Sequence, residues 1–443
     1  MKLFQQMLVA GAALSLVAPL AAQASDSMNL DGMKSYGSSE KSTSRFDDKT
    51  FVNEVNEELA TLKGRVDGLE AQQNNFEAGS FSDTTTMDGK AIFTLGAARI
   101  DEGNTHTQET KSNEEDVNFV YSYQLNLNSS FTGDDNLYVR IKTGNFDNSI
   151  FANKTFGTYL SSAKDNGDAL KVDKIWYQFP VGDSLQVWVG PAIENYYMLA
   201  SAPSIYKPVT KQFALGGNAS TYGSSTSPGF GAAYTQQVDD PSEGRFAVSV
   251  NYTGKGGDNA SAGLLDDDSK EFFLTKVEYG TPQWQVSAAF TSKTNGEAYD
   301  GYYHTKAGET YSKDLTSIGL RAYWKPETSG SIPQVQVGYD VASVDDAAVG
   351  DPDEMSAWMV GLGWTDLFVD GNRAGVAFGS RQAATSYNGA GSDPAEDNTV
   401  WEAYYSFKVN DGVTITPAVF GGSDVEADGK DVNGAVVLTE FRF

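Results

Sequence analysis

Three features of the sequence predict an all-β transmembrane fold: a 16-stranded antiparallel outer-membrane β-barrel preceded by a short N-terminal α-helical coiled coil. Runs of alternating apolar and polar residues recur from residue 80 to the end, as in "VNFVYSYQLNL" at Val117–Leu127. A period of two marks strands with one oily and one wet face. The turns inside hairpins are short and the links between hairpins are long. The last run, "GAVVLTEFRF", sets Val437, Thr439, Phe441 and Phe443 on one face and ends on an aromatic. Even strand number, short turns at one end and long loops at the other characterise outer-membrane barrels.

The elements follow in chain order. Residues 1–24 read as a secretory signal peptide: Lys2, an apolar run from Met7 to Leu20, then the small-residue site Ala22-Gln23-Ala24. Residues 25–50 are polar and aperiodic, a flexible lead-in. Residues 51–79 carry Val52, Val55, Leu59, Leu62, Val66 and Leu69 at alternating spacings of three and four, continued by Gln73 and Phe76. That is a heptad seam, which winds into a left-handed supercoil. Gly64 and Gly68 weaken an isolated helix, so copies of the same chain are its expected partners. An amphipathic helix folded back on its own domain is the alternative.

Residues 80–443 form the expected barrel domain. Seven hairpins are legible, among them "LNLNSSF-TGDDN-LYVRIK", "DKIWYQF-PVGDS-LQVWVG" and "FFLTKVEY-GTP-QWQVSAAF". A strand near Met87–Ala98 and the terminal strand bring the count to sixteen. Phe131, Phe179, Tyr279, Trp284, Trp324, Trp364 and Phe407 flank the short turns on the oily face, as a lipid–water girdle requires. A soluble sandwich would bury its aromatics between sheets instead.

Composition narrows the function. The chain has 443 residues, no cysteine and a formal charge of -27. The acidic balance excludes nucleic acid, which needs a basic patch. The missing cysteine removes disulfide frameworks and thiolate metal sites. The two histidines, His106 and His304, both fall in long loops; the only cluster, His304 with Asp300 and Tyr303, reads as loop chemistry, so no enzyme, cofactor or metal is expected.

The wet faces point into the lumen, and their charge is net basic although the protein is acidic. Arg140, Lys142, Lys174, Lys276, Arg321 and Arg381 are the candidate pore-lining residues. A cationic constriction would favour small anions such as phosphate, nitrate or bicarbonate. The plainer alternative is that these are solvated lumen side chains partly paired with acids. The link Pro191–Ser227 is apolar and aromatic where its neighbours are acidic. It is expected to fold into the barrel, placing Tyr196, Tyr197, Tyr206, Lys207 and Lys211 at the constriction; a packed cap or subunit contact is the alternative. The acidic outer loops would meet lipopolysaccharide through divalent cations or simply stay solvated; none has a calcium-loop spacing.

Several stretches resemble the cyanobacterial outer-membrane porins of the carbohydrate-selective porin group: "MNLDGMKSYGSS", "ELATLKGRVDGLEA", "LYVRIKTGN", "WYQFPVGDSLQVWVGP" and "MLASAPSIY". The resemblance implies a homotrimer passing small hydrophilic solutes, sugars among them, across an outer membrane, whereas the basic lumen face suggests inorganic anions instead. It also implies a surface-layer-homology domain bound to peptidoglycan ahead of the coiled coil, and the 25–50 stretch is too short for one. The competing reading is a structural envelope protein that braces outer membrane to cell wall through its stalk.

Overall fold

The computed structural model describes residues 80–82, 84–101, 116–154, 157–217, 221–223, 226–266, 269–295, 314–389, 398–425 and 430–443. The chain divides into two units, Met1–Ala78 and Gly79–Phe443, and the described residues all lie in the second. The signal peptide, lead-in and coiled coil expected for residues 1–79, and both histidines, fall outside the described residues.

The first strands are β1 (Ser80–Ser82), β2 (Thr85–Asp101), β3 (Asn118–Ser129), β4 (Asn136–Gly144), β5 (Lys171–Val181) and β6 (Leu185–Ile193). Then come β7 (Ser227–Thr235), β8 (Arg245–Lys255), β9 (Lys270–Gly280), β10 (Trp284–Lys293), β11 (Leu315–Trp324) and β12 (Gln334–Val344). The last are β13 (Pro352–Thr365), β14 (Arg373–Gly379), β15 (Ala383–Tyr387), β16 (Thr399–Asn410), β17 (Val413–Ser423) and β18 (Asp431–Arg442). They form one antiparallel sheet in which neighbours in sequence pair in space. β1 is a tab on the start of β2, and β14 and β15 both pair with β13, as two halves of one stave broken at Ser380–Gln382. Sixteen staves remain, and β18 pairs with β2 from Asp431↔Asp101 to Arg442↔Lys90, which closes the ring. Closure leaves neither the first nor the last stave with a free edge in hydrocarbon.

Each stave alternates. In β10, Trp284, Val286 and Phe290 point out while Ser287, Ala289 and Thr291 are buried inside. β12 repeats this with Val337, Tyr339 and Val341 outward and Gln336, Asp340 and Ala342 inward. The outer face is therefore the apolar one, matched to lipid. Near the short turns, Tyr279 meets Trp284 edge-to-face at 5.8 Å, and Trp284 lies in register with Trp324. Phe131 and Phe407 are exposed there, while Phe179 and Trp364 are half-buried. Of the connections at the opposite end, the longest is 194–226, between β6 and β7.

The turn from β3 to β4 is tied by one carboxylate. Asp135 Oδ1 accepts from Ser130 Oγ at 2.8 Å, Phe131 N at 2.9 Å, Thr132 N at 2.8 Å and Thr132 Oγ1 at 2.9 Å. Tyr177 Oη donates to its Oδ2 at 2.6 Å.

Candidate functional site

The β6–β7 connection runs across the inside of the barrel. It leaves β6 through a 3-10 turn, Asn195–Tyr197, whose carbonyl at Asn195 accepts from Asn251 Nδ2 of β8 at 3.2 Å. Ala200 N donates to Ser249 Oγ at 2.9 Å. Ser201 Oγ donates to Glu278 of β9 at 2.7 Å, and Ile205 N donates to Gln336 Oε1 of β12 at 3.1 Å. On the far wall Glu402 of β16 accepts from Tyr206 Oη at 2.9 Å, Val209 N at 3.1 Å, Thr210 N at 2.7 Å and Thr210 Oγ1 at 2.5 Å. The chain then returns: Thr221 Oγ1 donates to Asp340 at 2.7 Å, and Lys293 Nζ donates to Gly223 O at 2.6 Å. A backbone buried in this way must find partners for its polar groups, and the wet faces of the staves supply them.

The β4–β5 connection also folds inward. Phe146, Phe151, Tyr159 and Leu160 are buried against Ala98 of β2, Ala418 and Phe420 of β17 and Val436 of β18. It meets the longer loop backbone to backbone: Ser161 N donates to Val209 O and Lys211 N to Tyr159 O, both at 2.8 Å. This second inward loop was not legible in the sequence.

Two neighbouring cavities lie between these loops and the staves β16, β17, β18 and β2 to β5. The inner one, about 440 Å³, is lined by Lys90, Arg140, Lys142, Lys164, Lys174 and Lys211, with Asp165, Asp173 and Glu194. Ser122, Gln124, Ser161, Ser162, Thr226, Tyr159, Tyr196 and Tyr197 supply the uncharged polar part of the wall. Six basic side chains face three acids. The second, about 540 Å³, reaches the short-turn end and carries Lys90, Lys207, Arg373, Lys408 and Arg442 against Asp411 and Glu440. Lys90, Ile92, Ser161 and Ser162 border both.

The sequence-predicted residues divide between these cavities and the buried interior. Arg140 Nε donates to Asp173 Oδ2 at 2.7 Å and Nη1 donates to Tyr197 Oη at 3.1 Å. Lys164 meets the same carboxylate at 2.8 Å. Lys174 pairs with Glu194 at 2.8 Å and donates to Thr226 Oγ1 at 2.8 Å. Lys142, with the loop residues Tyr196, Tyr197 and Lys211, borders the inner cavity, and Lys207 is exposed in the second.

Lys174, although it borders the inner cavity, is fully buried, and three more of the expected pore-lining residues border neither cavity. Lys276 is fully buried, pairs with Glu278 and donates to Ser201 O at 3.0 Å. Arg321 donates to Asp340 at 2.7 Å and to Leu215 O at 3.0 Å, beneath Tyr222. Arg381 sits in the break between β14 and β15 and donates to Val425 O at 2.7 Å and Lys154 O at 2.9 Å. The inward loops cover all three, so these cations hold loops to the wall. Tyr206 is likewise buried on Glu402 and borders a separate pocket with Gln336, Trp364 and Arg373.

A closed sixteen-stave barrel with an inward-folded loop over a charged wall is the build of an outer-membrane porin. The sequence profile of the carbohydrate-selective porin, OprB family, matches residues 47–438, and the chain belongs to that family. It is a porin, with carbohydrate-selective diffusion across the outer membrane as the family's activity, and not an enzyme. The uncharacterized protein alr4550 of Nostoc sp. (strain PCC 7120) is 28% identical over 436 residues, covering 88% of this chain and 71% of that protein. The uncharacterized protein sll0772 of Synechocystis sp. (strain PCC 6803) is 24% identical over 427 residues, covering 89% of this chain and 76% of that protein. The high-pH structure of Pseudomonas putida OprB superimposes with a TM-score of 0.53 at 11% identity, covering 81% of this chain and 94% of that one. At that identity the likeness is one of fold.

Proposed function

We propose that the inner cavity is the narrowest part of a passive diffusion path for small hydrophilic solutes, with a preference for inorganic anions or small sugars, and that its charge is what favours the anions. The observation that carries this is the lining of six basic against three acidic side chains in a protein of charge -27. Inside a low-dielectric wall, fixed charge of one sign concentrates the opposite ion. In this reading the working unit is a homotrimer in contact with outer-membrane lipid and lipopolysaccharide, with residues 51–79 as a periplasmic coiled-coil stalk behind a cleaved signal peptide.

The test is the reversal potential of single channels across a potassium chloride gradient. Chloride preference is expected. Preference for potassium would hand selectivity to the acidic outer loops and overturn the reading.

A further inference from the structure

We propose that the inner cavity holds a binding site for a sugar bearing one anionic group, a phosphate monoester or a carboxylate. This rests on the diffusion path above and names a solute class for it.

The wall of β2, β3 and β4 is laid out in rows by strand register. Lys90 pairs with Gln124 and Gln124 with Lys142, so two ammonium groups flank one amide. Neighbouring strands lie ~4.8 Å apart, which places the two lysine backbones roughly 10 Å from each other. The next row toward the short turns is Asp88, Asn126 and Arg140. Beyond it are Asn128 and Tyr138.

The two kinds of group are used differently. Arg140 is committed to Asp173 and Tyr197, and Lys174 to Glu194. The Lys142 ammonium has no hydrogen-bond or ion-pair partner among the described residues, and it borders the cavity. Its three N–H donors are available to an anion. The amides instead form a ladder that starts at Gln124, which borders the cavity, and continues along the wall from there toward the short turns. Gln124 Nε2 donates to Asn126 Oδ1 at 2.9 Å, and Asn126 Nδ2 donates to Asp88 Oδ1 at 2.6 Å. Asn136 Nδ2 donates to Asn128 Oδ1 at 3.0 Å, and Tyr138 Oη donates to Asn126 Oδ1 at 2.8 Å.

A carboxamide both donates and accepts, as a sugar hydroxyl does, so a fixed ladder of them suits a polyol. An inorganic anion would use the ammonium and amide N–H donors but leave the amide carbonyls idle, and a neutral sugar would leave the ammonium charge unused. A sugar with one anionic group uses both. The volume of about 440 Å³ falls in the range of small-molecule sites, ~300–1,000 Å³.

The experiment measures block of single-channel current in the full-length protein by glucose, inorganic phosphate, glucose 6-phosphate and glucuronate. Both anionic sugars should block at concentrations about tenfold below glucose and below phosphate, the scale of one charge-assisted hydrogen bond. K142Q should erase their advantage over glucose. The double change Q124A with N126A should erase the advantage of glucose 6-phosphate over phosphate. Glucuronate against glucose 6-phosphate tells which anionic group is preferred. Equal block by phosphate and glucose 6-phosphate, equal block by glucose, or an unchanged ratio in K142Q overturns the site. Chloride preference with no such block overturns this proposal and leaves the diffusion path standing; potassium preference with no block overturns both.

Discussion

Asp135 gathers five donors onto one carboxylate in the turn between β3 and β4. The Tyr177 hydroxyl, with the Ser130 hydroxyl and the Phe131 and Thr132 amides, holds this carboxyl well below the usual range. A depressed folded-state value stabilises the fold fully above the unfolded value of about 3.9, and the contribution is lost as pH falls through the folded value. The turn should thus hold at neutral pH and weaken only in strong acid. In D135N the midpoint of urea-induced barrel unfolding should be lower at pH 7, and its fall between pH 5 and pH 2 shallower than in the wild type. Parallel curves for the two proteins would remove Asp135 from this role.

At the scale of elements, the β6–β7 loop is held by contacts that can be cut singly. Gly338 on β12 faces the carbonyl of Gly216, and a Cβ at Gly338 would come within 1.6 Å of that oxygen. Overpacking of this kind costs about 1–3 kcal/mol. Truncating Glu402 instead strands its four loop donors, two of them backbone amides, at about 1–3 kcal/mol for each group left buried and unpaired. Both G338A and E402A should release the loop while the stave ladder stays intact. Single-channel conductance should rise, and folded, heat-modifiable protein should still be recovered. Wild-type conductance in both variants would mean that the loop does not limit flow.

The same elements show where sequence reading stops. Lipid selects an apolar residue at every second position, so the staves and their outer faces were legible. A period of two also places Lys276, Arg321 and Arg381 correctly on the inner side. It carries no information about what lies over them, and so their burial was not. The apolar composition of Pro191–Ser227 announced a loop that would avoid water. In the β4–β5 loop the anchors Phe146, Phe151 and Leu160 are separated by Asp147, Asn153 and Lys154, with no period to mark them. Lys142 and Lys90 were individually visible as basic, but the row they form with Gln124 depends on register across three staves.

For the whole molecule, the proposed stalk bears on assembly. If residues 51–79 join three copies, their removal should lower the sedimented mass of the detergent-solubilised protein or the heat resistance of the oligomer, with single-channel selectivity retained. An oligomer of unchanged mass and heat resistance would place the subunit contacts on the barrel alone.

The crossing loop makes the two halves of the barrel unlike materials. Behind it, the inner faces of β9 to β12 bury Leu274, Lys276, Thr291, Arg321 and Asp340, and this side is as filled as the interior of a water-soluble protein. Opposite, Gln124, Asn126, Arg140 and Lys142 remain partly open. Heritable variation meets different filters on the two sides. A substitution at Ser317 or Gln336 is judged by whether the chain still folds, whereas on the proposed diffusion path one at Gln124 or Lys142 is judged by what passes. On that proposal the barrel can acquire a new diet by drift along three staves without renegotiating its stability along the others.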